Sequence, residues 1–198
     1  MLRERNGEKM KVTRKIEIES NKFMVGDVIS FALSDGEKVK AIAVKRQDGG
    51  MLFCCINCLA TEYSMNANGS NEGGYKESDL RKALNVEILS RFPAGIRALM
   101  QPMEYGDLLR IPTEMEIFGA NEYGEPDDAE QWSFMKKIRN RIAFQGNNGD
   151  WEWYLLQNKR KDSASSFCIV DGSGAVAAHA ASDSAGVRPV FLLQTGIK

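Results

Sequence analysis

The stretch from Val28 to Leu59, VISFALSDGEKVKAIAVKRQDGGMLFCCINCL, decides the fold. It divides into the apolar runs Val28 to Leu33, Val39 to Val44 and Met51 to Leu59, each rich in residues that fit a pleated, half-buried surface. The joints, Ser34-Asp35-Gly36-Glu37 and Gln47-Asp48-Gly49-Gly50, both contain Asp-Gly, whose glycine accepts positive φ and closes a tight hairpin. Runs and joints together predict a three-stranded antiparallel meander. The last run holds Cys54, Cys55 and Cys58, and Cys55 and Cys58 have C-x-x-C spacing. A structural zinc needs a second ligand pair, and the only histidine is His179, so we expect no metal and no cofactor. The thiols are read as reduced, packing as small hydrophobes.

Ahead of the meander, residues 1–22 form a charged lead-in where Ile16 and Ile18 alternate with polar neighbours, as in an edge strand. This start is charged where a signal peptide needs an apolar stretch, and no segment is long and apolar enough for a membrane span. The expectation is a protein made in the cytoplasm, without membrane insertion. Twenty-six basic residues against 27 acidic ones leave a formal charge of -1, so no global field draws the chain to nucleic acid.

Downstream of the meander, residues 61–77 are dense in turn formers and predict a long surface loop. Ser78 can cap a helix whose buried stripe is Leu80, Leu84 and Ile88. After Phe92-Pro93 a short second helix buries Ile96, Leu99 and Met100. Leu108 to Ile111 reads as a brief strand, and Thr113 with Glu116 as a capping box opening a helix closed by Gly119. Asp128 and Gln131 repeat that logic before a longer helix with Trp132, Met135, Ile138 and Ile142 on its core face and Lys136, Lys137, Arg139 and Arg141 on a solvated one. Trp151 to Leu156, Ser166 to Val170, Ala175 to Ala181 and Val187 to Leu193 then read as strands, the middle two joined by Asp171-Gly172-Ser173-Gly174. The fold class is α+β: an N-terminal meander, several helices and a C-terminal antiparallel module. Residues 23–198 make one domain of a length that can bury a sizeable core.

Several motifs carry a resemblance. Trp151-x-Trp153, Asp162-Ser163-Ala164-Ser165-Ser166-Phe167, Val170 to Gly174 and Ala181-Ser182-x-Ser184-x-Gly186-Val187-Arg188-Pro189-Val190 resemble a domain family of unknown function common in gut Gram-positive bacteria and their prophages. Gly26-Asp27-Val28, Tyr63 to Asn66, Ser78 to Arg81 with Leu84-Asn85, and Leu109 to Thr113 are similar to that family in the same order. The closing Gly186-Val187-Arg188-Pro189 also resembles the terminal strand of formylglycine-generating-enzyme-like domains and of phage variable proteins. The resemblance implies a C-type-lectin-like fold for about residues 105–198. One departure is that Trp153 is followed by Tyr154-Leu155-Leu156 where the family has Leu-Arg-Ser.

Catalysis finds little support. Cys168 is alone in its part of the chain, where a formylglycine-generating enzyme needs paired redox cysteines. His179, Asp183 and Ser184 lie together in sequence without a nucleophile elbow. Glu122, Glu125, Asp127 and Asp128 match no calcium loop and read as a solvated capping cluster. We therefore expect a non-catalytic module that binds a carbohydrate or protein ligand, on a phage particle or at a host-facing surface; a small enzyme or an intracellular assembly partner is the alternative. Trp151, Trp153 and Arg188 are assigned structural roles, with Arg188 held by a carboxylate or by backbone carbonyls. The ligand surface is expected on the loops Gln157 to Asp162 and Ser182 to Ala185, using Tyr154, Asn158, Lys159, Arg160 and Asp183.

Overall fold

The structure, a computed structural model, describes residues 23–47, 49–146 and 149–194. The lead-in with Ile16 and Ile18, and Asp48 of the second hairpin joint, lie outside the described residues. The strands are β1 (Val28–Ala32), β2 (Lys38–Gln47), β3 (Gly50–Cys55), β4 (Met100–Gln101), β5 (Ala143–Phe144), β6 (Trp151–Glu152), β7 (Tyr154–Lys159), β8 (Ser166–Val170), β9 (Val176–Ala180) and β10 (Val190–Gln194). The α-helices are α1 (Gly74–Glu77), α2 (Asp79–Ala83), α3 (Leu89–Arg91), α4 (Ala94–Arg97) and α5 (Glu114–Phe118), with a π-turn over Leu84–Ile88 joining α2 to α3. The fold is thus mixed α and β, with its ladders antiparallel.

The predicted meander forms β1, β2 and β3, and β10 joins it from the far end of the chain in the order β1-β2-β3-β10-β4. β3 and β10 sit inside this sheet and are covered on both faces, which accounts for apolar runs without alternation. Met51, Phe53, Cys55, Phe191 and Leu193 pack with Leu80, Leu84, Ile88 and Phe92 on one face. Leu52, Cys54, Val190 and Leu192 pack with Ile117, Trp132, Met135 and Tyr154 on the other. A second sheet, β7-β8-β9, contributes to both clusters, and β5 and β6 form a short separate ladder.

Local signals behave as their chemistry dictates. The Ser78 hydroxyl accepts from the Arg81 N–H to start α2, and Thr113 and Glu116 make the reciprocal capping box before α5. Leu108 to Ile111, however, adds only a bridge in which Arg110 and Val190 exchange both backbone hydrogen bonds, at 3.0 and 2.7 Å. The loop 61–77 is no mere surface excursion. Met65 and Tyr75 are buried, and the Asn71 amide donates to the Ser163 and Ser166 carbonyls at 2.6 and 3.0 Å, tying this loop to the C-terminal module.

The expected long helix through Trp132 and Ile142 does not form. Two 3-10 turns, Ser133–Lys136 and Ile138–Asn140, replace it, with Lys137 extended between them. The cause is local competition for carbonyls. The Asn140 amide donates to the Phe134 carbonyl at 2.6 Å and the Arg141 Nε to that of Met135 at 2.8 Å, the acceptors that continued helix would require. Trp132 and Met135 remain in the core, but Ile138 is expelled to 57% exposure.

Candidate functional site

The site grows from the β5–β6 ladder. Phe144 is paired with Trp151 there, so both side chains leave on one side, while Ala143 and Glu152 face the other. Trp153 lies two residues on and shares the Trp151 side, as extended backbone requires. The two indoles stack at a centroid distance of 6.3 Å and an interplanar angle of 25°. Trp153 then meets the His179 imidazole of β9 edge to face at 5.3 Å. The His179 Nε2 lies 3.5 Å from an Asp183 carboxylate oxygen. Behind this row stands the β8–β9 turn, where a Cβ at Gly172 would collide with the Trp151 ring. Phe144, Trp151 and Trp153 are 45%, 54% and 37% exposed, whereas Trp132 is 2% exposed, so the core does accept indole and these rings stay outside it.

This arrangement reverses two expectations. Trp151 and Trp153, read as structural, are half-exposed and form the aromatic face. Tyr154, read as a ligand contact, is wholly buried; its hydroxyl accepts from Arg188 Nη1 at 3.1 Å, and the guanidinium lies 5.2 Å from its ring centre. Burial, the largest influence, pushes its phenol well above the usual range, against the opposing charge of Arg188. The reason for the exchange is alternation: when 151 and 153 point outward, 152 and 154 point inward.

The other expected contacts do not gather. Gln157 to Lys159 belong to β7, not to a loop, and Asn158 is buried: its Oδ1 accepts from the Glu114 N–H at 2.7 Å, and its Nδ2 donates to the Glu125 carbonyl and to Asp127. Lys159 pairs with Glu125 at 3.2 Å, and Arg160 is engaged by Asp162 and lies over the Tyr123 ring. Of the five, only Asp183 reaches the aromatic face. Arg188 is buried, its Nε donating to the Cys55 carbonyl at 2.6 Å and its terminal nitrogens to that of Asn140 at 3.3 Å.

The acidic loop is structured rather than merely solvated. Glu114, fully buried, accepts from the N–H groups of Glu122, Tyr123 and Gly124, while Asp127 accepts from Thr113, Asn121, Ala129 and Asn158. Burial raises the Asp127 pKa, but these hydrogen bonds outweigh it and hold the carboxyl below its ordinary value. Among the described residues, no group of three or more histidine, cysteine, aspartate or glutamate side chains is placed to hold a metal ion. A cleft of 580 Å³ lies between α1 and β7, edged by Tyr105, whose φ of 59° is the positive value of a non-glycine residue. Of its charged lining, Lys159 pairs with Glu125, Lys76 lies over the Tyr105 ring and Asp127 accepts from Asn158. The aromatic face keeps its apolar area open, and we take it as the candidate site.

Sequence reasoning passed over Phe144, placed Ile138 on the core face of a helix, and discounted His179 as part of a triad with Asp183 and Ser184. The Trp-x-Trp alternation around Glu152 carried the signal for one shared face, but not which face. Comparison with protein-family models, curated proteins and solved structures returns no match for this chain.

Proposed function

We propose that this chain is a non-catalytic recognition module that binds carbohydrate on the face of Trp151, Trp153 and His179. The observation that carries the reading is the pair of exposed, near-parallel indoles, held from behind by the β8–β9 turn. Flat aromatic surface that is already oriented loses little conformational freedom on binding, and it offers a sugar ring apolar area with polar groups at its margin. His179 and Asp183 supply such a margin. The C-type-lectin-like character of about residues 105–198, membership of the gut-bacterial and prophage family, and use at a host-facing or particle surface belong to the same proposal. Their support is the motif order in the sequence and a C-terminal antiparallel module followed by Arg188-Pro189 and β10.

The test is a printed array of neutral and acidic glycans probed with labelled wild-type protein and with a Trp151→Ala, Trp153→Ala double variant. Both substitutions are at exposed positions, so the melting temperature should hold nearly constant. The expected result is retention of one glycan class by the wild type and its loss in the variant. No retained glycan, or equal retention by both proteins, overturns the carbohydrate reading.

A further inference from the structure

We infer that His179 is a pH switch for the aromatic face: its protonation clamps Trp153 in place, so the face holds its glycan more tightly in mildly acidic than in mildly alkaline solution. This rests on the carbohydrate reading of the face and names how that same site is regulated. Histidine is the side chain that ordinarily changes charge between about pH 5 and pH 8, and this chain has a single one. That histidine touches an indole of the site, with its ring centre 5.3 Å from that of Trp153 at an interplanar angle of 88°. Its Nε2 lies 3.5 Å from an Asp183 carboxylate oxygen, too long for a good hydrogen bond yet close enough for an ion pair. Neutral imidazole therefore gains little from Asp183, whereas imidazolium is drawn to it. The carboxylate fixes the ring when it is charged, and the ring fixes the indole it packs against.

The elements packed around His179 add few competing charges. Asp183, in the turn that follows β9, is its ion-pair partner among the described residues. On β9 itself Ala177 shares its face, and on β8 the residue directly opposite is Phe167. From the loop 61–77, Tyr63 bridges to Ala185, but its hydroxyl donates to Glu87. Glu152, the neighbour of Trp153 in the chain, leaves on the other side of the β5–β6 ladder, where Glu62 is the acid beside it. Trp151 rests instead on the β8–β9 turn at Gly172, so the switch acts on one indole of the pair. A ring already held in its bound orientation loses less freedom on binding, and loosening it lowers the fraction of molecules ready to bind. For a pair whose side chains are 24% and 51% exposed, the gain in affinity should be about threefold.

The switch is tested first without ligand, by nuclear magnetic resonance of the indole N–H groups. The chain has three tryptophans, and the variants Trp151→Phe and Trp153→Phe assign their signals. In the wild type the Trp153 signal should move reversibly between about pH 8 and about pH 5.5, while that of buried Trp132 stays still. The movement should be absent in His179→Gln and smaller in Asp183→Asn. A stationary Trp153 signal overturns the inference, and equal movement in His179→Gln overturns it in favour of Glu152. The printed array is then read at the same two pH values on its neutral glycans, which carry no titrating group of their own. Retention by the wild type should be about threefold greater at the lower pH, and any retention by His179→Gln should not depend on pH. Equal or weaker wild-type retention at the lower pH overturns the inference and leaves the carbohydrate reading standing. No retention at either pH overturns the carbohydrate reading, and the Trp153 signal still shows whether His179 clamps the indole.

Discussion

Replacing Arg188 by alanine tests the hinge on which the two sheets meet. The guanidinium is fully buried and bonds three separate elements: the end of β3 through the Cys55 carbonyl at 2.6 Å, the 3-10 turn through the Asn140 carbonyl at 3.3 Å, and β7 through the Tyr154 hydroxyl at 3.1 Å. No carboxylate pairs with it among the described residues, so its charge is solvated by carbonyl and hydroxyl dipoles and by the Tyr154 ring. Each such bond contributes about 1 kcal/mol net. The alanine variant also leaves a cavity in place of the side chain, while relief of the buried charge offsets part of that cost. A loss on the order of 3 kcal/mol follows. With a urea dependence of about 2 to 3 kcal/mol per molar, the unfolding midpoint should fall by roughly 1 to 1.5 M. Arg188→Met keeps most of the volume and removes the charge, so it should lose less than the alanine variant does. An alanine variant whose midpoint moves by less than about 0.3 M would refute the reasoning, since bonds to buried partners cannot be lost at so small a cost.

Two further outcomes follow from buried or crowded groups. Burial, and then the neighbouring Glu62 carboxylate, raise the Glu152 pKa above its ordinary 4.5, so the ionised folded state is penalised above that pKa and the penalty disappears when both states are protonated. Glu152→Gln should therefore raise the melting temperature at pH 7 and leave it unchanged below about pH 4, whereas a lower melting temperature at pH 7 would show that the carboxylate stabilises the fold. Desolvation pushes Cys54 to about 11 and the other three thiols up as well, outweighing the Arg188 charge near the first three. A water-soluble aromatic disulfide at pH 8 should label none of the four cysteines in the native protein and all four after unfolding, and rapid native labelling would place a thiol at the surface.

What the sequence determined by itself was local. The Asp-Gly joint at Gly36, the Ser78 cap and the Thr113–Glu116 box act within a few residues, so each was legible and each is present. The apolar run of β3 was legible as a strand, but its burial on both faces follows from its place inside the sheet. Tertiary structure decided the rest. Insertion of β10 between β3 and β4 joins residues far apart in the chain, such as Val190 with Cys54 and Leu192 with Gln101, and no periodicity specifies such partners. The helix pattern at Trp132 to Ile142 lost to carbonyl bonds from Asn140 and Arg141, which sequence spacing does not reveal. The candidate site turned on one further choice. Trp151 and Trp153 had to share a face, but whether that face met solvent or core was set by the packing of Tyr154 and Arg188 beneath it, because a period-two pattern fixes which side chains go together and only the surrounding fold fixes where they go.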